Sequence, residues 1–494
     1  MFEVRRKSDV PLTEQIVREI SERIQTGMLA SQTQLPSVRT LANRLGVSLV
    51  TVVQAYRVLE QRGFVERIQG KGTYVRTRTR TPEQLQPTAP HQRFDWQLLL
   101  ADYLPRAAVF RQHTESVDET PLKLSMAALC PSLSAASLPA DLYTSIVQMP
   151  AMLTEYGPVE GLPSLRARLA VEFREAGLAV DVDEIFITNG VQQAIDIVAR
   201  TFLGPGDVVV VEAPTYAGAL DVFRACGANV ISIPVDDQGL RTDLLLRQCD
   251  HKPPKLIYTM PAFHNPTSVV MSQQRRRALL DIATSYQCLI LEDDSFSDCS
   301  FGVAVPPPLR ADDDGGHVVY VRGFSKVFLP GCRLAAVVAS GSVRNRLVAA
   351  KSVSDLGSPL ITQRLVEHCL MDSGRRRRIE KIVNALRIKR DLALQTLAEH
   401  APPGVTWNFP DGGYNLWVTL PDHVNADVLL VEAMRKGISF LPGSACYNGD
   451  LVYHHLRISY SYLEDDELVR AVRALCLLMS EAVTGQSRPF MPVI

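Results

Sequence analysis

Several stretches of this 494-residue chain place chemically capable side chains just after apolar runs. Lys326 stands in Gly323-Phe324-Ser325-Lys326, directly after Val318–Val321, and Arg333 follows in Pro330-Gly331-Cys332-Arg333. A lysine amine at a strand end can condense with an aldehyde, while the Ser325 hydroxyl and the Arg333 guanidinium grip a phosphate. A lone lysine in such a place is usually a solvated surface residue; the whole phrase argues for chemistry. Asp293, in Leu291-Glu292-Asp293-Asp294, closes the run Leu289–Leu291. An acid there points into the ligand crevice of an α/β sheet and can hold a ring nitrogen protonated, or it can be a helix cap or a surface acid. Asn265, in His264-Asn265-Pro266-Thr267 after Leu256–Thr259, can donate to a ring oxygen or form an ordinary Asn-Pro turn. His264 reads as a turn histidine. Gly190, Val191 and Gln192 open a helix after Ile185–Ile187, where backbone N–H groups suit an anion; a plain strand-turn-helix has the same look. Tyr216, in Ala213-Pro214-Thr215-Tyr216, can stack on a flat ring or sit in a core. Arg457, in Leu456-Arg457-Ile458-Ser459, is a strand arginine that needs an anion when buried. A substrate carboxylate held by both guanidinium nitrogens would serve, as would an internal Asp or Glu. Together these types suit an aldehyde cofactor with a phosphate tail, plus an amino-acid ligand.

The elements that must carry these residues are short apolar strands alternating with helices from about residue 120. Ile185–Thr188, Val208–Val211, Val230–Ile233, Leu256–Thr259, Leu289–Leu291, Val318–Val321 and Leu334–Ala339 have strand length. This pattern predicts a mostly parallel α/β sheet. Residues from about 375 to 485 mix helices with strands at Gly413–Leu420 and Leu456–Ser459, a smaller α+β domain.

The first 80 residues have a different character. Leu12, Ile16, Ile20 and Ile24 share a helix face. Ser37 is the expected cap of a second short helix ending at Gly46, and Ser48 opens a third that ends at Gly63. Phe64–Arg67 and Gly72–Val75 form a hairpin around Gln69-Gly70-Lys71-Gly72. Three helices and a hairpin predict a winged helix-turn-helix, an α+β head whose third helix enters the major groove of double-stranded DNA. Ser48, Leu49, Thr51 and Gln54 are then candidates for base edges, and Arg39, Arg44, Arg57, Arg62 and Lys71 for phosphates. A winged helix used only for protein contacts is the alternative. Residues 1–80 hold 14 Lys/Arg against 7 Asp/Glu, so the head is about +7 within a chain of net charge −1. That imbalance favours a nucleic-acid partner. Residues 76 to about 115 alternate Arg and Thr and then carry Pro82, Pro87 and Pro90, the pattern of a linker.

The nine cysteines are scattered, without CxxC pairs or zinc spacing, so no metal is expected and a reducing cytoplasm fits. Met1–Val10 lacks the apolar core of a signal peptide, and no apolar run approaches a membrane span.

The head resembles the GntR-type winged helix through Leu35-Pro36-Ser37-Val38-Arg39, Leu41-Ala42, Leu45-Gly46-Val47-Ser48, Thr51-Val52 and Gly70–Val75. Leu49 stands where that family usually has Arg. Residues from about 120 to 485 resemble the fold type I, aspartate aminotransferase-like family, through the Lys326, Asp293, Asn265, Arg333 and Arg457 phrases and Tyr156-Gly157-Pro158-Val159-Glu160-Gly161. The combination resembles the MocR/GabR group of bacterial regulators. That resemblance implies pyridoxal 5′-phosphate as an aldimine on Lys326, an amine or amino-acid effector and an operator. It also implies a homodimer in which Tyr156 reaches the partner's cofactor phosphate. It leaves open an active aminotransferase with an accessory head. The implied division is 1–78 for the winged helix, 79–118 for the linker and 119–494 for the cofactor domain, with a small subdomain from about 375. Ser295 and Phe296 stand where the group has a tyrosine for the ring oxygen, so that hydroxyl is missing or replaced by Ser295. Tyr414 and Asn415 also depart from the usual residues near the substrate.

Overall fold

The computed structural model describes residues 11–25, 33–61, 64–68, 72–75, 122–136, 154–326, 330–449 and 452–485. The expected linker 79–118, Arg62, Gly63, Lys71 and the tip of the hairpin lie outside them. The chain divides into two units, Met1–Ala101 and Asp102–Ile494.

In the first unit, α1 (Leu12–Gln25), α2 (Val38–Leu45) and α3 (Leu49–Gln61) precede β1 (Val65–Ile68) and β2 (Gly72–Val75), which pair antiparallel. Ser37 caps α2 by accepting from the Thr40 amide at 3.1 Å. Gly46 ends it in the left-handed region, at φ 64°, where a side chain would be strained. The core is small: Ile16, Val17 and Ile20 of α1 meet Val52, Ala55, Tyr56 and Leu59 of α3, with Val65 and Val75 beneath. The Tyr56 hydroxyl is satisfied by donating to the Pro36 carbonyl at 2.7 Å. A hydrophobic seam of this kind fixes the angle between α2 and α3 and leaves the far side of α3 to solvent.

The first described element of the second unit is β3 (Leu122–Lys123). Its main sheet contains β4 (Ile185–Thr188), β5 (Val208–Ala213), β6 (Asn229–Asp236), β7 (Gly239–Leu240), β8 (Leu256–Thr259), β9 (Leu289–Asp294), β10 (Val318–Gly323) and β11 (Ala335–Val338). Their spatial order is β4-β11-β10-β9-β8-β5-β6-β7. The run from β10 to β6 is parallel, and β11, β4 and β7 join antiparallel. Helices cover both faces, which is why these strands read as unbroken Val/Ile/Leu runs. The sequence pattern ended the Asp293 strand at Leu291, whereas β9 extends to Asp294. Three consecutive acids can stay in the sheet because each is satisfied. Glu292 accepts from the Leu309 and Arg310 amides, Asp293 from Tyr258 and Ser295, and Asp294 from Tyr320 and Arg322.

A second sheet, β12 (Thr406–Trp407), β13 (Asn415–Thr419), β16 (His455–Ser459) and β15 (Leu441–Pro442) in that order, packs its own core against long helices at Arg375–His400 and Asp465–Val483. The short strand β14 (Ile438–Ser439) pairs in parallel with β3. That separate two-stranded pairing, together with the Ser459 amide of β16 donating to the Leu124 carbonyl at 2.7 Å, holds the segment after residue 122 and brings Ser125 and Ala127 to Arg457 and Lys326.

Candidate functional site

The C-terminal ends of β5, β8, β9 and β10 lie side by side, so the residues that follow them converge. They border a cavity of about 570 Å³ whose lining includes Lys326, Asn265, Arg333, Arg457, Tyr216 and Gln192. A chamber of about 100 Å³ shares most of these and adds Val191, Asp293, Ser295 and Phe296. Residues separated by up to 334 positions, Lys123 to Arg457, thus line one cavity.

Lys326 follows β10 across one short turn. Its ammonium donates to the Ala127 carbonyl, its own carbonyl accepts from the Tyr414 hydroxyl, and the rings of Phe296 and Tyr414 lie 5.3 and 5.6 Å from Nζ. Burial first, then Arg457 and Arg333, push its pKa down to about 8, so about a tenth of the amine is neutral near pH 7. Asp293 is buried at the end of β9. Its carboxylate accepts from Tyr258 at 2.9 Å and from Ser295 at 2.6 Å. Burial raises it to about 6, against the pull of those two donors.

Arg457 is 6% exposed, and burial lowers its pKa. Its Nη1 donates to Asn265 Oδ1 at 2.9 Å and its Nη2 to the Ser125 carbonyl at 2.7 Å, while Nε has no partner. No carboxylate among the described residues is within ion-pair reach of it. A buried cation with only neutral acceptors and an orphaned N–H is set up for an anion. Accepting through Oδ1 fixes the Asn265 amide so that its Nδ2 is the donor that remains.

The opposite end of the site is built for a second anion. Gly190, at φ 83°, precedes the helix Val191–Phe202, whose first-turn N–H groups have no intrahelical acceptors. A Cβ on Gly190 would stand 3.0 Å from Arg333 Nη2, so a side chain there would be strained by the positive φ and would crowd that guanidinium. Arg333, itself at φ 45°, donates to Ser325 Oγ at 3.3 Å. The Tyr216 hydroxyl donates to Gln192 Oε1 at 3.0 Å, and Gln192 Nε2 to the Gly218 carbonyl at 2.9 Å, which fixes the tyrosine at the chamber wall. Arg333, Ser325 and the helix start therefore fit a phosphate, with Asp293 across the chamber for a ring nitrogen.

Tyr156 lines neither space; it is 96% exposed. His264 is not a simple turn residue but is buried, 3.2 Å from Glu212. Ser295 does not stand in for a lost tyrosine hydroxyl in any direct way, because its own hydroxyl is committed to Asp293. Sequence reasoning missed Tyr258, the Ser125–Ala127 backbone and the support under the phosphate turn. In that support Asp355 accepts from Asn189 at 2.9 Å, Gln193 at 2.7 Å and the buried Lys351 at 2.7 Å. The helical spacing of Lys351 and Asp355 was the only sequence signal for it.

In the head, Arg39, Arg44, Ser48, Gln54 and Arg57 are exposed and Thr51 is half-buried. Ser48 accepts from the Thr51 amide at 3.1 Å and shares a hydrogen bond with Thr51 Oγ1 at 2.8 Å, so both hydroxyls serve the start of α3.

A mixed sheet with this strand order, and a cation-rich cavity at its strand ends, define a transferase-type scaffold carrying a winged helix-turn-helix. Residues 133–475 match the family aminotransferase class I and II, and residues 12–75 match bacterial regulatory proteins of the gntR family. Aromatic-amino-acid aminotransferase 1 of Thermococcus litoralis is 33% identical over 67% of this chain and 81% of its own length. The uncharacterized HTH-type transcriptional regulator YisV of Bacillus subtilis is 30% identical over 95% of this chain and 96% of its own. Among solved structures, the α-aminoadipate aminotransferase LysN of Thermus thermophilus, complexed with N-(5′-phosphopyridoxyl)-L-leucine, superposes with a TM-score of 0.71. It is 28% identical and covers 79% of this chain and 99% of its own. The chain belongs to the aminotransferase class I and II family, with a gntR-type regulatory domain at its N-terminal side.

Proposed function

We propose that this protein is a DNA-binding transcriptional regulator that holds pyridoxal 5′-phosphate at Lys326 and responds to an amine or amino acid. The observation that carries this reading is the pairing, in one cavity, of a lysine with a lowered pKa and a buried arginine without an acidic partner. Bound at this site, the cofactor supplies an aldehyde that amines can exchange onto and a ring that draws electrons from them. Lys326 anchors it. Ser325, Arg333, Gly190, Val191 and Gln192 hold its phosphate, Asp293 faces its ring nitrogen, Asn265 its ring oxygen and Tyr216 its flat face. Arg457 binds the carboxylate of the incoming amino acid. With the incoming amine bonded to the cofactor's aldehyde carbon in place of the lysine, the Lys326 amine would be free to take or return a proton. Lys326 also reaches, through Ala127, the 122–130 segment that pairs with β14 and bonds to Ser459 of the small sheet. Releasing that lysine changes the contacts that differ between free and liganded states, and DNA affinity follows the difference.

In this reading residues 1–78 bind a double-stranded operator, with Arg39, Arg44, Arg57 and Lys71 on phosphates and Ser48, Thr51 and Gln54 at the α3 end that meets the bases. Residues 79–118 link them to the ligand unit 119–494. The protein works in the cytoplasm as a homodimer, where Tyr156 of the partner subunit completes the phosphate site. The exposure of Tyr156, Val353 and Leu356, with the 157 and 357 loops adjoining, supports a covered face there. Among the described residues no helix is long and apolar enough to cross a membrane.

The second reading is an aminotransferase with an accessory head, favoured by the completeness of the Lys326 site. Titrating the purified protein with a panel of amines and amino acids, followed by absorbance and DNA affinity, separates the two. A ligand that changes both without steady turnover of a keto-acid acceptor supports the regulator. Steady turnover with no effect on DNA supports the enzyme.

A further inference from the structure

Among the described residues of the head, the large apolar side chains left in solvent are Leu49, Val50 and Val53, at 47%, 70% and 43% exposure. All three lie on α3. Residues four apart stand one above the other on a helix, so Leu49, Val53 and Arg57 form one row and Val50 and Gln54 the next. The other face of α3, with Val52, Ala55, Tyr56 and Leu59, is in the core. Single exposed aliphatics are ordinary, but a strip of three on one face of a small domain marks a contact surface. Cations border it. Arg57 continues the strip, and Arg39 and Arg44 stand exposed on α2; none of the three has an acidic partner among the described residues.

The partner must therefore be anionic at its rim and offer apolar groups between. The major groove of DNA does both, because the thymine C5-methyl is the apolar group that its base pairs present between the phosphate backbones. We infer that Leu49, Val50 and Val53 read thymine methyl groups in the major groove. The preferred operator then carries thymines where the N-terminal half of α3 meets the bases, with an adenine in reach of Gln54. This rests on the reading of the head as a DNA-binding domain. The engagement of Ser48 and Thr51 in capping α3 points the same way, since it leaves first-turn discrimination to the aliphatic side chains beside them.

Deoxyuridine differs from thymidine by that methyl alone. The test selects preferred sites from a random duplex pool with the full-length, cofactor-loaded protein. It then replaces each thymine of the selected site by deoxyuridine in turn. Affinity is expected to fall on the order of fourfold at two or more positions. Leu49→Ala and Val50→Ala are expected to bring the thymidine-to-deoxyuridine ratio toward one, each at different positions. Equal affinity for the thymidine and fully deoxyuridine forms of a selectively bound site overturns the inference and leaves DNA binding by the head intact. Failure to select any sequence, with salt-insensitive binding, overturns both. A Leu49→Asn change that alters the oligomeric state in sedimentation, with no thymine dependence in the wild type, assigns the strip to a protein contact and also overturns it.

Discussion

The ligand cavity and the face of α3 solve opposite problems. The cavity takes charges out of water, where Asp293 and Arg457 are buried, Lys326 is half-buried, and all three are held by neutral donors and acceptors. The outer face of α3 leaves aliphatic carbon in water, beside arginines that have no acidic partner among the described residues. In the proposed reading each surface becomes favourable with its partner, an anionic ring compound in one case and a grooved polyanion in the other. The contrast teaches that binding sites are recognised by what the rest of the fold would otherwise have avoided. It also separates two kinds of sensitivity. Single changes in the cavity remove a buried partner and cost much, whereas single changes on α3 remove one contact among many.

The largest expected effect is at Lys326. Lys326→Ala should remove the visible absorbance of the purified protein and every ligand-dependent change in it, with the thermal stability of the head unaltered. Next is Arg457→Gln, which strips the carboxylate site of its charge. Affinity for amino acids should fall by about 2–4 kcal/mol, some 30- to 1,000-fold, while amines lacking a carboxylate bind as before; titration of matched pairs such as an amino acid and its decarboxylated amine checks this. Equal losses for both members of a pair would place the carboxylate elsewhere.

Those two residues show how far the sequence could be read. Lys326 and Arg333 were legible because a glycine, a serine and an arginine at fixed short spacing are a local pattern. The strands before them were legible from continuous apolar runs. Tyr258 was not, because its hydroxyl matters only through Asp293, 35 residues away in the chain and one strand away in the sheet. Asp355 was not, because its link to Asn189 crosses 166 residues. The end of β9 was read three residues short, since a run of acids argues against a strand until their donors are known. The α3 face was legible in part: Ser48, Leu49, Thr51 and Gln54 stood out as candidates for base edges, and burial adds Val50 and Val53 to that face.

Smaller effects sharpen the comparison. Because burial, Arg457 and Arg333 bring Lys326 down to about 8 from 10.5, its neutral form grows as pH rises toward 8. The rate at which cofactor-free protein captures pyridoxal 5′-phosphate should rise about tenfold per pH unit below 8 and level above it. A rate still climbing at pH 10 would mean an ordinary exposed lysine. Tyr258→Phe takes away one of the two donors that draw Asp293 down, so its pKa should rise further above about 6 and cofactor affinity should fall by about 1 kcal/mol, read by absorbance titration. Smallest is Ser37→Ala, which removes the cap of α2 and should cost the head about 1 kcal/mol in a denaturant melt while leaving the cavity's spectrum alone.

The central claim, that the chemistry at Lys326 sets the state of the DNA-binding head, has one direct measurement. Operator affinity of the full-length protein is titrated with an amino acid that changes its absorbance, in the wild type and in Lys326→Ala. A ligand-dependent shift in DNA affinity is expected for the wild type and none for the variant. An equal shift in both, from a variant without cofactor, would contradict it.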